Sequence, residues 1–381
     1  MKKVLIIHNK YRNPGGEDVA VANEADLLKE HFNVKIIYFE NDIKTYLRQF
    51  FSFLLNSNSK SVAIVSKEIE SFNPDLIYLH NTWFKASLGI FDLIASKNIK
   101  CVVKLHNFRY FCTKSFFSKD HTSKNTVCNA CGYFGGRRYF NKYFVNSYIK
   151  SFLANYYGKK YFQILLNSNF KIFVLTSFHK EFLIDLGFDE GRIEIFPNYL
   201  KIKNNSSNSK SNYILYAGRI SKEKGIEELI LAFQKVKLKD IKLKLIGDGP
   251  ELKFLKSKYE NENILFTGFK SNEETIEEIS SSLAVVTTTK LFEGQPTLLC
   301  EASSVGVPSI FPRTGGIDEF FPDQYKMSFE QFNYQDFANK LLILNEKLPL
   351  NEIGKENLNY ISSYLNNKKL IKNFKRVIDE G

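Results

Sequence analysis

Phe292-Glu293-Gly294-Gln295-Pro296-Thr297-Leu298-Leu299-Cys300-Glu301-Ala302 sets two carboxylates, Glu293 and Glu301, eight positions apart. The first lies at a bend containing glycine and proline, the second inside an apolar helical run. Thr287-Thr288-Thr289 ends the β-branched stretch before the bend. Strand, tight loop and helix are therefore expected in that order. Backbone N–H groups of residues 294–297 would then gather at a helix N-terminus, where an anion or sugar hydroxyls can be held. Glu301 is expected on the first turn of that helix, directed at the same crevice. Taken alone, the stretch fits a buried helix cap with a solvated carboxylate equally well.

Working outward, the chain alternates short β-branched runs with helical patterns. The first series of runs is Lys3–His8, Val34–Phe39, Leu76–His80, Cys101–His106, Lys171–Thr176 and Ile193–Pro197. The second is Tyr213–Gly218, Lys242–Gly247, Asn263–Gly268, Ala284–Thr289 and Val307–Pro312. Continuously apolar strands of this kind belong to parallel sheets covered by helices on both faces. Between them, Ile226, Leu229, Ile230 and Phe233 repeat with a helical period. Two series imply an α/β fold of two doubly wound, Rossmann-like domains. Residues 201–212, KIKNNSSNSKSN, are polar and aperiodic, as a linker is. The expected division is a domain over 1–200, the linker, and a domain over 213–363. The final segment, 364–381, reads as an amphipathic helix through Leu370, Ile371, Phe374 and Val377, and is expected to pack back on the first domain.

Length and composition bound the class. At 381 residues the chain exceeds one ordinary core, and 44% hydrophobic content disfavours disorder and fibrous classes. No apolar run reaches transmembrane length, and MKKVLIIHNK turns polar too soon for a signal peptide. A cytoplasmic location is expected. The net charge of +12 is unevenly spread: 121–180 contains no Asp or Glu. There Arg137, Arg138, Lys142, Lys150, Lys159 and Lys160 interleave with Tyr and Phe. That mixture suits an anionic membrane surface through 137–162, placing the protein peripherally on the inner face of the plasma membrane. It also suits a nucleic-acid groove or an ordinary helix whose aromatics are core.

In open parallel sheets, ligands bind beyond the carboxyl ends of the strands. After the first run comes Asn13-Pro14-Gly15-Gly16-Glu17, a glycine turn into a helix; it is neither G-x-G-x-x-G nor a P-loop. After Tyr213–Ala217 come Gly218-Arg219, then Lys222, Lys224 and Gly225 before a helix, a cradle for a pyrophosphate. Gly247-Asp248-Gly249-Pro250-Glu251 ends the next run, and Thr267-Gly268-Phe269-Lys270 the one after, suited to contacting a flat base.

The order G-R…K-G, G-D-G-P-E, T-G-F, E-G-Q-P-T-L-L-C-E-A, G-V-P and T-G-G-I-D-E resembles the carboxyl-terminal half of a family 4 retaining glycosyltransferase of the GT-B fold. The amino-terminal half agrees through Gly15-Gly16, His106-Asn107 and Pro197-Asn198. The resemblance covers nearly the whole chain. It implies two domains about a central cleft, with transfer of a sugar from a nucleotide-sugar donor (UDP- or GDP-linked) to a glycan or polyprenyl-linked acceptor, as in bacterial capsule, O-antigen or exopolysaccharide synthesis.

Carried over by motif, Arg219 and Lys224 hold the diphosphate, and Gly16 adds a backbone contact. Glu293 faces the donor sugar or reaction centre, assisted by the backbone of Gly294, Gln295, Pro296 and Thr297. Glu301 grips the ribose, Gly268, Phe269 and Lys270 lie against the base, and His106 sits near the transferred sugar. A structural histidine at a strand end is the competing reading of His106. No D-x-D triplet occurs, so a metal-bridged diphosphate and a resident cofactor are not required. The resemblance further covers HNFRYFCTKS…CNAC, a cysteine-bearing loop in a subset of these enzymes. Cys112, Cys128 and Cys131, with His121 between them, form an incomplete zinc set; reduced structural thiols are the alternative.

A phosphorylase or nucleotide-sugar epimerase on the same fold is the nearest alternative activity, though no lysine context for pyridoxal phosphate is present. A nucleic-acid-binding protein would explain neither carboxylate nor the ordered loops, so no nucleic-acid partner is expected.

Overall fold

The computed structural model describes residues 1–11, 15–40, 55–112, 147–201, 210–236, 238–345 and 350–380. They form two compact units, each an α/β domain on a six-stranded, fully parallel sheet. The first unit comprises Met1–Tyr199 and Asn366–Gly381, the second Leu200–Leu365. Of the polar stretch 201–212, residues 202–209 lie outside the described residues.

In the first unit the strands are β1 (Lys3–Lys10), β2 (Asn33–Glu40), β3 (Leu76–Leu79), β4 (Cys101–Leu105), β5 (Lys171–Val174) and β6 (Ile193–Ile195), in the order β2-β1-β3-β4-β5-β6. Strands β1, β3 and β4 are buried along nearly their whole length because helices cover both faces. The described helices are α1 (Gly16–Lys29), α2 (Ser59–Phe72), α3 (Gly89–Ser96), α4 (Tyr148–Asn167), α5 (Ser177–Asp185) and the chain's last helix, Asn367–Asp379. Several begin on a polar side chain that accepts a first-turn amide: Asn58 before α2, Ser147 before α4 and Thr176 before α5. One core of this unit joins Val4, Ile6, Tyr78, Phe173 and Phe196 to Leu370, Ile371, Phe374 and Val377 of the last helix. Within it, Lys104 is buried against Glu24 at 2.9 Å, and the Tyr78 hydroxyl donates to the same carboxylate at 2.8 Å.

The second unit orders its strands β12-β11-β10-β7-β8-β9. They are β7 (Tyr213–Ala217), β8 (Lys242–Ile246), β9 (Ile264–Gly268), β10 (Ala284–Val286), β11 (Ser309–Arg313) and β12 (Ser328–Glu330). The edge strand β12 has no counterpart in the sequence expectation, since three residues are too few to show a period. Strand β10 stops at Val286, so Thr287, Thr288 and Thr289 belong to the loop rather than the strand. Helices α6 (Ile226–Lys235), α7 (Leu252–Tyr259), α8 (Asn272–Ser281), α9 (Thr297–Ser304), α10 (Tyr334–Leu342) and α11 (Leu350–Tyr364) pack on this sheet, making the last helix α12.

In each unit the strand order reverses once, between β1 and β3 in the first and between β7 and β10 in the second. At such a switch point the connections leave in opposite directions and open a crevice at the strands' carboxyl ends.

Candidate active site

In the second unit, the loops after β7 and β10 interlock. Thr288 Oγ1 donates to the Gly225 carbonyl at 2.7 Å, and the Lys290 amide donates to Glu223 O at 3.0 Å. Gly225 is at φ +69°, and a Cβ there would lie 2.3 Å from Thr288 O. Only glycine permits this approach. The tight turn Lys222–Lys224 thereby presents Lys224, whose Nζ sits 2.5 Å from Glu293 Oε1. Thr289 Oγ1 donates to the same oxygen at 2.8 Å. The backbone of Glu293 is fixed as well: the Gly316 amide donates to its carbonyl at 2.9 Å, and a Cβ on Gly315 (φ +59°) would lie 2.3 Å from it. Two residues 69 positions apart thus form one charge-assisted pair at the switch point.

Arg219 follows β7 as an exposed side chain, its carbonyl accepting a hydrogen bond from the buried Tyr216 hydroxyl at 3.0 Å. Helix α9 starts at Thr297. Pro296 has no N–H, so of the stretch 294–297 only Gly294, Gln295 and Thr297 offer amides. Glu301 falls on the second turn of α9 rather than the first; it is buried and accepts from Asn272 Nδ2 at 2.8 Å. That contact ties it to the head of α8, just after Gly268, Phe269 and Lys270. Gly268 adopts φ +75° and Phe269 is 73% exposed. The Lys270 ammonium is committed to Glu278, which also holds Lys244 at 2.6 Å and the Tyr213 hydroxyl at 2.9 Å. Burial works to raise the Glu278 carboxyl, but those three hydrogen bonds outweigh it and bring its pKa down to about 2.

In the first unit, the turn between β1 and α1 is built around Asp18. Its carboxylate accepts from the Gly15 amide at 2.9 Å and meets His8 Nε2 at 2.8 Å. Gly16 is the first residue of α1 and is exposed. Glu17 Oε2 accepts from the Tyr11 hydroxyl at 2.8 Å and from Asn107 Nδ2 at 3.1 Å. Burial raises the Glu17 carboxyl above its ordinary value, against the opposing pull of His8.

His106, after β4, and His80, after β3, lie face to face with centroids 5.2 Å apart and a 2.8 Å contact from His80 Nδ1 to His106 Nε2. Burial holds both rings well below the ordinary histidine range, so both are neutral at neutral pH. A small polar cavity of about 20 Å³ is lined by Glu17, His80, His106, Asn107 and Arg109. The Arg109 guanidinium stacks over Trp83 at 4.3 Å.

His80 and Glu17 line the cavity beside His106, and motif matching alone did not single them out. His80 stands at a strand end just as His106 does, which is the signal that would have found it. Cys112 is buried, while Cys128, Cys131 and His121 lie outside the described residues. Among the described residues no three His, Cys, Asp or Glu side chains gather as a metal site. Of the basic-aromatic stretch, 137–146 lies outside the described residues. The remainder falls on α4, where Tyr148, Ile149, Phe152 and Tyr156 are exposed. Among the described residues no helix is long and apolar enough to cross a membrane.

Two doubly wound domains on parallel six-stranded sheets define the GT-B architecture. Residues 200–358, within the second unit, are similar to the family of glycosyl transferases group 1. An uncharacterized glycosyltransferase of Methanocaldococcus jannaschii, MJ1069, is 26% identical over 235 residues, 58% of this chain and 59% of the relative. Across the curated relatives it matches, the aligned share of the relative's own length is 59% or less. Among solved structures, HepE of Anabaena in complex with UDP superposes with a TM-score of 0.69 at 14% identity, over 100% of both chains. The lipopolysaccharide outer core galactosyltransferase WaaB gives 0.62 at 17% identity, over 99% of both. These likenesses concern the fold.

Proposed function

We propose that this chain is a family 4 retaining glycosyltransferase, a hexosyltransferase that moves a sugar from a UDP- or GDP-linked donor to a glycan or polyprenyl-linked acceptor in surface-polysaccharide synthesis. The observation that carries the reading is the Lys224–Glu293–Thr289 junction at the switch point of the second unit. A departing nucleoside diphosphate gains negative charge in the transition state, and fixed cations and amide dipoles at that position lower the barrier most. Lys224 and Arg219 supply the cations, and Gly294, Gln295 and Thr297 the amides. Glu293 both orients Lys224 and offers a carboxylate to the donor sugar. Glu301, steadied by Asn272, is placed for ribose hydroxyls, with the exposed Phe269 beside the base and Gly268 and Lys270 in the same loop. In the first unit Gly16 and His106 serve the phosphate and the transferred sugar.

HepE, solved with UDP, and WaaB, a lipopolysaccharide galactosyltransferase, support the nucleotide-sugar and surface-polysaccharide elements of this reading. The exposed aromatic face of α4 with Lys150, Lys159 and Lys160 supports docking on an anionic membrane from the cytoplasmic side, where aromatic rings sit at headgroup level. The test is a screen of UDP- and GDP-sugars read by released nucleotide. One donor class is expected to turn over in the wild type and not in Lys224→Ala; no release from any donor, or equal release by the variant, would contradict the reading.

A further inference from the structure

The loop that carries Glu293 is held from two directions. Toward α6, the Lys290 amide donates to Glu223 O at 3.0 Å and the Lys290 ammonium meets Glu228 at 2.6 Å. From the sheet edge, the turn after β12 brings Gln331 to the same loop. Its Nε2 lies 3.2 Å from Thr289 O and 3.4 Å from Leu291 O. Carbonyl oxygens only accept, so the amide faces them with its two N–H groups. Gln331 thus bridges the carbonyls on either side of Lys290.

The turn that delivers Gln331 is strained. Phe332, next in sequence, sits at φ +69°. A bulky residue in the left-handed region costs energy and persists only where its surroundings hold it. Here the Asn333 amide donates to Glu330 O, the Glu330 amide to Asp336 Oδ2 and the Asp336 amide to Asn333 Oδ1, each at 3.0 Å.

From the bridged carbonyls a short path leads to the ion pair. The Leu291 amide donates to Thr289 Oγ1 at 3.3 Å, and that hydroxyl donates to Glu293 Oε1 at 2.8 Å. Lys224 Nζ sits 2.5 Å from the same oxygen. A shift of the backbone at 289–291 therefore moves the hydroxyl that orients Glu293.

We propose that Gln331 is a positioning residue: it fixes the backbone at Thr289 and Leu291, and through the Thr289 hydroxyl it sets the Glu293 carboxylate against Lys224. The glycosyltransferase reading gives this contact its purpose, and the proposal rests on it to that extent, but the contact itself is measured without nucleotide.

The experiment compares the full-length wild type with Gln331→Leu, which keeps the bulk and loses both donors. Hydrogen exchange at the Lys290 and Leu291 amides is expected to quicken about tenfold, as the loss of one or two neutral hydrogen bonds allows. Competitive acetylation, read by mass spectrometry against the exposed Lys368, is expected to show Lys224 reacting faster. The reference for a freed Lys224 is its rate in Glu293→Gln. Wild-type exchange at both amides, or wild-type acetylation of Lys224, would overturn the proposal.

Gln331→Glu guards against a folding artefact. Its carboxylate opposes two carbonyl oxygens near pH 8, so exchange should again be fast; protonated near pH 4, it regains one donor. Its exchange relative to the wild type should fall back as the pH is lowered from about 8 to about 4, while that of Gln331→Leu stays raised. A ratio that does not respond to pH in Gln331→Glu would count against the clamp. Titration with UDP and GDP then tests the site's purpose separately. The nucleotide that binds the wild type should bind Gln331→Leu about two- to tenfold more weakly, the span of one neutral hydrogen bond. If exchange and acetylation respond but neither nucleotide binds, or both variants bind it equally well, the clamp stands and the donor-site reading fails.

Discussion

At the scale of single residues, the proposed chemistry concentrates in Lys224 and Glu293, which are in contact at 2.5 Å. Lys224→Ala removes the cation proposed for the leaving group, and Glu293→Ala removes the group that orients it. Each is expected to lower sugar transfer by a factor on the order of 10² or more, the size of losing one preorganised electrostatic contact. Circular dichroism melting should change little, because both side chains are partly exposed. Thr289→Val removes one of two hydrogen bonds to Glu293 Oε1, and its smaller loss of transfer would rank that bond below the ion pair. His179 provides a residue-scale test of burial. Its Nε2 meets the Tyr110 hydroxyl at 2.9 Å, and burial brings its pKa down to about 3 from 6.5. Unfolded, it takes up a proton as the pH falls below about 6.5; folded, it does so only near 3. Between those values the unfolded chain holds the extra proton, so stability is lost as the pH falls, by about 1.4 kcal/mol per pH unit from this group. Urea unfolding across that window should show a correspondingly smaller slope in His179→Gln.

At the scale of elements, what positions these residues is the junction of two loops. Gly315→Ala would force a Cβ against the Glu293 carbonyl at a positive φ, and Gly225→Ala would do the same against Thr288 O. Each is expected to cost roughly 1–3 kcal/mol, measured by chemical denaturation, and to depress transfer beyond its effect on stability because Glu293 and Lys224 move. Much of this architecture was legible in the chain. Strand ends could be read from β-branched runs, and the rule that ligands bind beyond them pointed to Lys224, Glu293 and His106. Other parts were not legible for physical reasons. The contact of Glu301 with Asn272 spans 29 positions and depends on helix phase, which shifted Glu301 from the first turn to the second. The ion pair of the Lys270 ammonium with Glu278, two turns further on, had no sequence signal of its own. The pairing of His80 with His106 required knowing that β3 and β4 are neighbours.

At the scale of the whole molecule, the chain leaves the first unit at Tyr199 and re-enters it at Asn366. Helix α12 is held there by Leu370, Ile371, Phe374, Val377 and Ile378, by an ion pair from Arg376 to Glu194, and by Lys100 Nζ on Ile378 O at 2.8 Å. Each buried apolar side chain contributes about 1.5–3 kcal/mol, a sum comparable with the roughly 5–15 kcal/mol that holds a domain folded. Truncation after Leu365 should therefore unfold the first unit, seen as lost near-ultraviolet dichroism and rapid proteolysis of residues 1–199; a native-like first unit would contradict this placement of α12. The central claim is that the second unit holds a nucleoside diphosphate between the loops after β7 and β10. Isothermal titration of UDP and of GDP into the wild type and Lys224→Ala tests it most directly. One nucleotide should bind the wild type at a single site, with affinity reduced about tenfold or more in the variant. Binding of neither nucleotide, or equal binding by the variant, would contradict it.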